Sequence, residues 1–482
     1  MAERVLQLIN FGGGLNTAVP PALIDASESP RLRNIVFDKV GLLEKRKGYE
    51  KFNEASLGEA PITGLYRYNK RDGTKVWLVA HGQDLSWMDD KGVSKGKLID
   101  GLLTDGTVKR FATFKDQALV ADKTAGVYKT DLTTTAKIDA APKGVFLVVH
   151  HERVFVAGTS DKPSTLYWSE DGDEETWEAN SFLNFDQDDG DEITGLCPLF
   201  GDLVVFKRNS IHVLYGAFPR EFSRRKVHEG IGCIAPDSIL PADNGIYFCA
   251  SDGIKFFDGA GVHHLSAKVD DIYRAITRKN AVATAKYKQH VWFVHSHPDS
   301  NVNDKVLVLD AKQGRWTYFD NIMANVLAVG KSEDEDVLLF GSSAANGHCY
   351  VFDRGYSDDG EPIAMEWHSK TFTLDSPEVV KRFRNMYVDF LADGSTAYID
   401  YIVDRGVASG TLEVTGISGD VWGEFKWGEG IWQEPTAQFK ATSLDAKNTG
   451  RYIRFVVRNR DTQKPFRLYS ISVVARPIRM AY

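Results

Sequence analysis

The densest set of potential ligands in this 482-residue chain is the run Asp186-Gln187-Asp188-Asp189-Gly190-Asp191-Glu192. Closely spaced carboxylates suit a hard divalent cation, which collects oxygen ligands. The run lacks the ligand spacing and the closing bidentate glutamate of an EF-hand, and no helical pattern flanks it. It reads as a solvated loop between strands, with a structural divalent ion as the alternative. Ser169-Glu170-Asp171-Gly172 with Trp177 resembles an Asp-box turn, a device that braces a hairpin and catalyses nothing, although the glycine and tryptophan spacings depart from it. Cutting a glycoside needs two carboxyls roughly 5 to 9.5 Å apart, and none of the 66 acidic residues is singled out by a local signature. His263-His264 and the set His290, His295 and His297 are the remaining candidate metal ligands. On a strand, His295 and His297 share a face, but Pro298-Asp299 starts a turn at once and no third ligand stands near. Cys197, Cys233, Cys249 and Cys349 form no CxxC pair, so buried free thiols are expected rather than disulfides or zinc. No nucleophile elbow, Walker loop or dinucleotide fingerprint occurs, and FGGGLN at residues 11–16 precedes no strand–helix pair. No catalytic residue, metal or cofactor is expected.

The elements that would carry these residues are strands. Between Thr194 and Gly259, β-branched and aromatic runs are cut by Gly201-Asp202, Asn244-Gly245 and Ser251-Asp252-Gly253, which favour tight turns. The same grammar recurs with first strands near Ile62, Val108, Phe146, Ile193, Ser238, Val282 and Val326, at intervals of about 38 to 47 residues, the period of a four-stranded propeller blade. A lone sheet of this kind leaves both faces bare, so stacking in a ring of about seven blades is expected. Residues 34–52 read as a hairpin turning near Lys39 to Gly41. Its second strand, 42–49, is a candidate to close the last blade.

After Gly360 the strands lengthen, at 364–374, 379–391, 397–403, 411–416, 436–443, 451–458 and 466–476, which suggests a jelly-roll-like β-sandwich. The expected domains are an N-terminal arm with closing hairpin over 1–50, a β-propeller over 51–362 and a sandwich over 363–482. Within the arm, Gly and Pro prevent a long helix, while residues 24–33 allow one short turn capped near Asp25 or Ser27. Arg382, Arg384, Arg454, Arg458 and Arg467 on the sandwich strands make either a solvated face or a docking surface.

Charge narrows the function. Residues 363–482 hold 16 basic and 14 acidic side chains, and residues 1–362 hold 42 and 52. An acidic first part argues against tight binding of nucleic acid through its phosphates. The start of the sequence lacks a signal-peptide pattern and no apolar run is long enough to span a bilayer, so synthesis in a reducing cytoplasm is expected.

The opening FGGGLNT, then RNIVFDKVGLLEKRKGYEKF, the blades CPLFGDLVVFKRNSIHVLYG and GIGCIAPDSILPADNGIYFCASDGIKFFDG, and the Arg-rich end together resemble the tail nozzle and packaged-DNA stabilisation proteins of short-tailed bacteriophages. The likeness covers nearly the whole chain, and its order carries more weight than any one motif. The resemblance implies a virion protein of the phage tail, made in the host bacterial cytoplasm, a homo-oligomeric ring, usually a hexamer, with adaptor, portal-proximal tail proteins and tail fibres as partners. Double-stranded DNA would pass through transiently. It also implies inter-subunit contacts through Phe11, Gly12, Gly13, Gly14 and Asn16 and through Arg382, Arg384, Arg454 and Arg458, with Asp186, Asp188, Asp189 and Asp191 as an acidic lumen loop. The competing readings are a propeller glycosidase or polysaccharide lyase acting on host surface glycans, a receptor-binding or fibre attachment protein, and an interaction scaffold. A fibre would show long repeats or a β-helix, and a scaffold WD dipeptides at blade ends; neither is present.

Overall fold

The computed structural model describes residues 3–38, 40–332, 335–374, 377–406, 408–417, 437–444, 448–462 and 464–480. The chain forms two compact units, one of Lys51–Val306 with Ile322–Phe352, the other of Met1–Glu50, Leu307–Asn321 and Asp353–Tyr482. These limits differ from the expected domains: residues 1–50 belong with the C-terminal unit, as do 307–321 and 353–362.

In the first unit, the strands that open successive sheets are Ile62–Asn69, Arg110–Phe114, Phe146–His150, Ile193–Leu199, Leu240–Ala242, Ala283–Tyr287 and Ala324–Ser332. Each touches the next, and the last touches the first. Seven sheets whose innermost strands close a circle make a seven-bladed β-propeller, as the sequence period requires. Second strands such as Arg153–Ala157 and Gly245–Cys249 are buried along their whole length. Each is covered on both faces by neighbouring blades, and so is apolar without alternation. Fourth strands such as Ser94–Ile99 and Ser223–Glu229 lie mostly exposed at the rim and carry the Lys and Arg.

Between blades the core is continuous. Trp77, Val79 and Met88 of the first blade pack with Leu339 and Val351 of the seventh, and Phe206 and Val204 of the fourth with Phe248 and Ile246 of the fifth. The turns joining first to second strands place two residues at positive φ: Lys115-Asp116, His151-Glu152, Phe200-Gly201 and Asp243-Asn244. This two-residue geometry matches the strand twist, and it sits one residue before the pairs read from the sequence as Gly201-Asp202 and Asn244-Gly245. Among the described residues the single α-helix is Asp270–Ala275, and no helix is long and apolar enough to cross a membrane.

The second unit is a two-sheet sandwich. One sheet runs Gln438–Ser443, Val379–Ala392, Phe466–Met480, Leu43–Lys45, Ile35–Phe37; the other runs Leu32–Arg33, Met365–His368, Ile453–Asn459, Thr396–Val403, Ala408–Thr415. The chain crosses between them repeatedly, and the long strand Val379–Ala392 alternates buried and accessible positions as a half-covered strand should. Two positions of the sequence reading, Lys39 of the turn and Thr436 of a strand, lie outside the described residues.

The N-terminal segment is built into these sheets. Arg4–Leu8 pairs with Phe466–Met480, and Leu32–Arg33 pairs with Met365–His368. Residues 24–33 form no helical turn: the Asp25 carboxylate accepts from Ser27 N at 2.9 Å, a local Asx turn that leads into the strand Glu28–Ser29. The expected closing strand 42–49 breaks in two. Leu43–Lys45 joins the sandwich, whereas Gly48–Lys51 is a separate short strand. Phe52 N then donates to Cys349 O at 2.8 Å.

Candidate axial channel and interaction surfaces

The propeller axis is where such folds place ligands or a passage. Here it is crossed by side chains. Arg110, at the start of the second blade, donates to the Asp237 carboxylate at 2.7 Å, and Asp237 lies in the short turn Pro236–Ser238 that leads into the fifth. These blades are not neighbours in the ring, so the pair spans the bore. The Arg110 guanidinium also sits 4.8 Å from the Phe146 ring centre, and Tyr66 stacks on Phe111 at 5.4 Å. What remains beside the pair is a cavity of about 270 Å³, lined among others by Lys109, Leu147, Leu196 and Ile239. A DNA duplex does not fit there.

The acidic run lies between the third and fourth blades, and three of its four aspartates work on the protein itself. Asp186, at φ 44°, accepts from Lys226 Nζ at 2.9 Å, which lowers its pKa. Asp189 takes the ammonium of Lys207, a side chain with no exposure, on both carboxylate oxygens at 2.7 Å. Burial opposes ionisation of Asp189, but the Lys207 hydrogen bonds prevail and hold its carboxyl below the usual range. Asp191 accepts from Asn209 N at 2.9 Å and from Arg208 N at 3.2 Å. Asp188 is exposed and makes no such contact. The expected acidic surface is therefore mostly a braced loop, with one carboxylate of the four turned free to solvent.

The glycine-rich stretch is packed within its own unit. Phe11 is buried edge-on against Trp367, ring centres 5.2 Å apart. Gly14 has φ 77°, and a Cβ there would stand 2.7 Å from Trp316 O, so only glycine fits. Gly12 lies against Gly41, Gly13 N donates to Ser27 O at 3.0 Å, and Asn16 Nδ2 donates to the Glu28 carboxylate at 2.8 Å. Sheet partners late in the sequence supply the core of this segment. Arg382 and Arg454 are exposed, Arg384 pairs with Glu3 at 2.8 Å, Arg458 with Asp400 at 2.5 Å, and Arg467 with Glu44 at 2.8 Å. They project from two sheets rather than forming one site.

The contact that sequence reasoning did not assign is the ion pair of Arg46 with Asp358. The Arg46 guanidinium, with no exposure, meets Asp358 in a two-pronged pair at 2.6 and 2.8 Å. It also donates to Asn34 Oδ1 at 2.8 Å, Lys47 O at 2.9 Å and Asp320 O at 3.0 Å. Every donor of the fork is used, which is what makes burial of the charge tolerable. The sequence signal was the place of Arg46 in the RKGY end of the hairpin that carries the resemblance, which does not indicate its partner.

The Asp-box-like turn, the histidines and the cysteines have structural roles. Ser169 Oγ accepts from Val154 N at 3.0 Å, and Trp177 Nε1 donates to Glu174 O at 2.9 Å beneath the turn. The carboxylate that braces this turn belongs to Asp173, which accepts from Glu175 N at 2.8 Å, rather than to Asp171. His263 meets Asp258 at 2.8 Å and His264 meets Asp270 at 2.9 Å. Burial pulls the His295 pKa down to about 4, leaving a neutral ring. Among the described residues no three His, Cys, Asp or Glu gather to hold a metal ion. All four cysteines are free and buried, and burial pushes the thiols of Cys197, Cys249 and Cys349 up to about 12.

These features define a seven-bladed β-propeller protein with a β-sandwich unit. No family model matches the chain, and no curated protein matches it. Among solved structures it is similar to PorZ, a surface component of the type-IX secretion system of Porphyromonas gingivalis, at 9% identity and a TM-score of 0.40, over 75% of this chain and 46% of that one. It is similar to the extracellular domain of the putative hybrid two-component system BT4673 from B. thetaiotaomicron at 9% identity and a TM-score of 0.46, over 88% and 61%. A third is the Pan2 WD40 domain of Neurospora crassa, at 8% identity and 0.42, over 64% and 97%. The chain thus spans about half to three fifths of the length of the two bacterial proteins.

Proposed function

We propose that this chain is a structural subunit of a bacteriophage tail, of the nozzle or packaged-DNA stabilisation kind, acting as a homo-oligomeric ring that conducts and retains DNA. The observation that carries the reading is the use made of the N-terminal signature. Gly14 lies against Trp316, and Arg46 is locked onto Asp358, so the residues behind the resemblance are those this architecture needs. In this reading the passage for DNA lies between copies, because the Arg110–Asp237 pair crosses the propeller's own bore. The acidic excess of residues 1–362 supports it, since like charge lets a duplex slide without being trapped.

The test is quantitative peptide mass spectrometry on purified phage particles, counting this chain against the portal protein. About six copies per particle supports a closed axial ring. A much larger multiple of three moves the chain to a fibre, and absence from particles refutes a virion role and revives the glycan-cutting enzyme.

A further inference from the structure

The outward face of the first sandwich sheet departs from the polar surface that an antiparallel sheet usually turns to water. Register places Gln7, Ser472, Tyr387 and Ala441 in one row across four strands, and Ser470, Asp389 and Phe439 in the next. Val5, opposite Val474, lies on the same side, because the intervening Ile471, Val473 and Ala475 are buried on the other. Ile9 follows Val5 and Gln7 in step. Val5, Ile9 and Phe439 are 64%, 60% and 63% exposed, and the Phe439 ring stacks on Tyr387 with centres 5.8 Å apart. Apolar side chains from both flanks of the sheet thus share one uncovered surface.

Charge on this face is also unmatched. Arg382 stands directly opposite Arg476, both exposed, and among the described residues neither has an ion pair. Like charges directly opposite each other destabilise a sheet, and a carboxylate laid across both relieves the repulsion. Asp389 accepts from Ser470 Oγ at 2.5 Å, and Arg384 is matched by Glu3, so the excess left on the face is positive. Two copies joined through this same face would bring like charge to like. A head-to-tail contact instead sets it against residues 1–362 of the next copy, which hold 52 acidic and 42 basic side chains.

We propose that this face is the contact through which copies of the chain join head to tail, with Val5, Ile9, Tyr387 and Phe439 as its apolar centre and Arg382 and Arg476 receiving carboxylates from the acidic residues 1–362 of the next copy. Resting on the reading of the chain as a homo-oligomeric ring, this contact supplies the surface that closes it, since a heterologous interface builds a ring when its rotation closes. Aromatic and arginine side chains are the types enriched at the centre of such contacts.

Sedimentation velocity of the full chain, from about 1 to 100 µM at low ionic strength, should show species larger than a dimer that dissociate as salt rises. Val5→Ser combined with Phe439→Ser, and Arg382→Ser combined with Arg476→Ser, alter exposed positions, so circular dichroism should be unchanged while association shifts to concentrations about tenfold higher. Tyr398→Ser, exposed on the other sheet, should associate as the parent does. A parent chain monomeric throughout, a closed dimer as the largest species, association unchanged in either double variant, or association weakened equally by Tyr398→Ser would each overturn the proposal. The copy number in particles is counted separately, so these outcomes leave the tail reading to its own test.

Discussion

Replacing Arg46 by methionine removes one charge from a pair with 0% and 1% side-chain exposure. Methionine fills much of the volume, so the expected loss is electrostatic rather than a cavity. Asp358 would keep one long contact, from Asn321 Nδ2 at 3.4 Å, while Lys47 O and Asp320 O would lose the guanidinium donors now at 2.9 and 3.0 Å. Asn34 Oδ1 would still accept from Asp320 N at 3.0 Å. Breaking a buried pair from one side costs about 3–5 kcal/mol. For a unit of this size that lowers the melting temperature by roughly 10 °C. Arg46→Lys should fall between, since an ammonium keeps the charge but cannot make the two-pronged contact.

The double replacement Arg46→Met with Asp358→Leu removes both charges and should recover at least half of the loss, because an uncompensated buried carboxylate no longer exists. Scanning calorimetry of the full chain gives the midpoints, and hydrogen exchange over residues 34–48 and 355–362 localises the effect. A single variant within about 1 kcal/mol of the parent, or a double variant no better than the single, would refute the reasoning.

Three further outcomes are expected. Burial lowers the Lys45 pKa to about 8; since the unfolded chain holds that proton up to about pH 10.5, stability contributed by this group rises between pH 8 and 10.5, and Lys45→Met should flatten the rise in denaturant midpoints over that window. His150, His212 and His295 are each pulled to about 4, chiefly by burial; the unfolded chain takes up these protons first, so stability should fall as pH drops from about 6.5 toward 4, and a His295→Gln variant should lose less over that range. Asp189→Asn should destabilise by roughly 1–3 kcal/mol because it strands the buried Lys207 ammonium, whereas Asp188→Asn should stay within about 0.5 kcal/mol; equal thermal shifts for the two would contradict the braced-loop account.

The repeat was legible because a blade is a local object. Its second strand is apolar throughout since neighbours cover both faces, its rim strand is charged since nothing covers it, and the turns between are set by a few residues with positive φ. Each first strand therefore falls within a residue or two of the position read from spacing alone. The sandwich strands were legible for the same reason, as Val379–Ala392 and Phe466–Met480 alternate or run apolar over more than ten residues.

What tertiary structure decided are the pairings between distant segments, for which the sequence holds no local period. Nothing near Leu43 says that it will lie beside Leu468, or that the strand will break at Arg46 to meet Asp358. The glycines at 12–14 read as part of an extended arm, and only the folded neighbours, Trp316 at Gly14 and Gly41 at Gly12, show that they let backbones approach. Likewise, the aspartates at 186–191 carry the same charge in any fold, but Lys207 and Lys226, brought in from neighbouring strands, decide that most of it is spent on the loop. Composition and period fixed each blade, because those interactions lie within tens of residues; the closed bore and the buried ion pair depend on contacts across more than a hundred, which only the folded chain brings together.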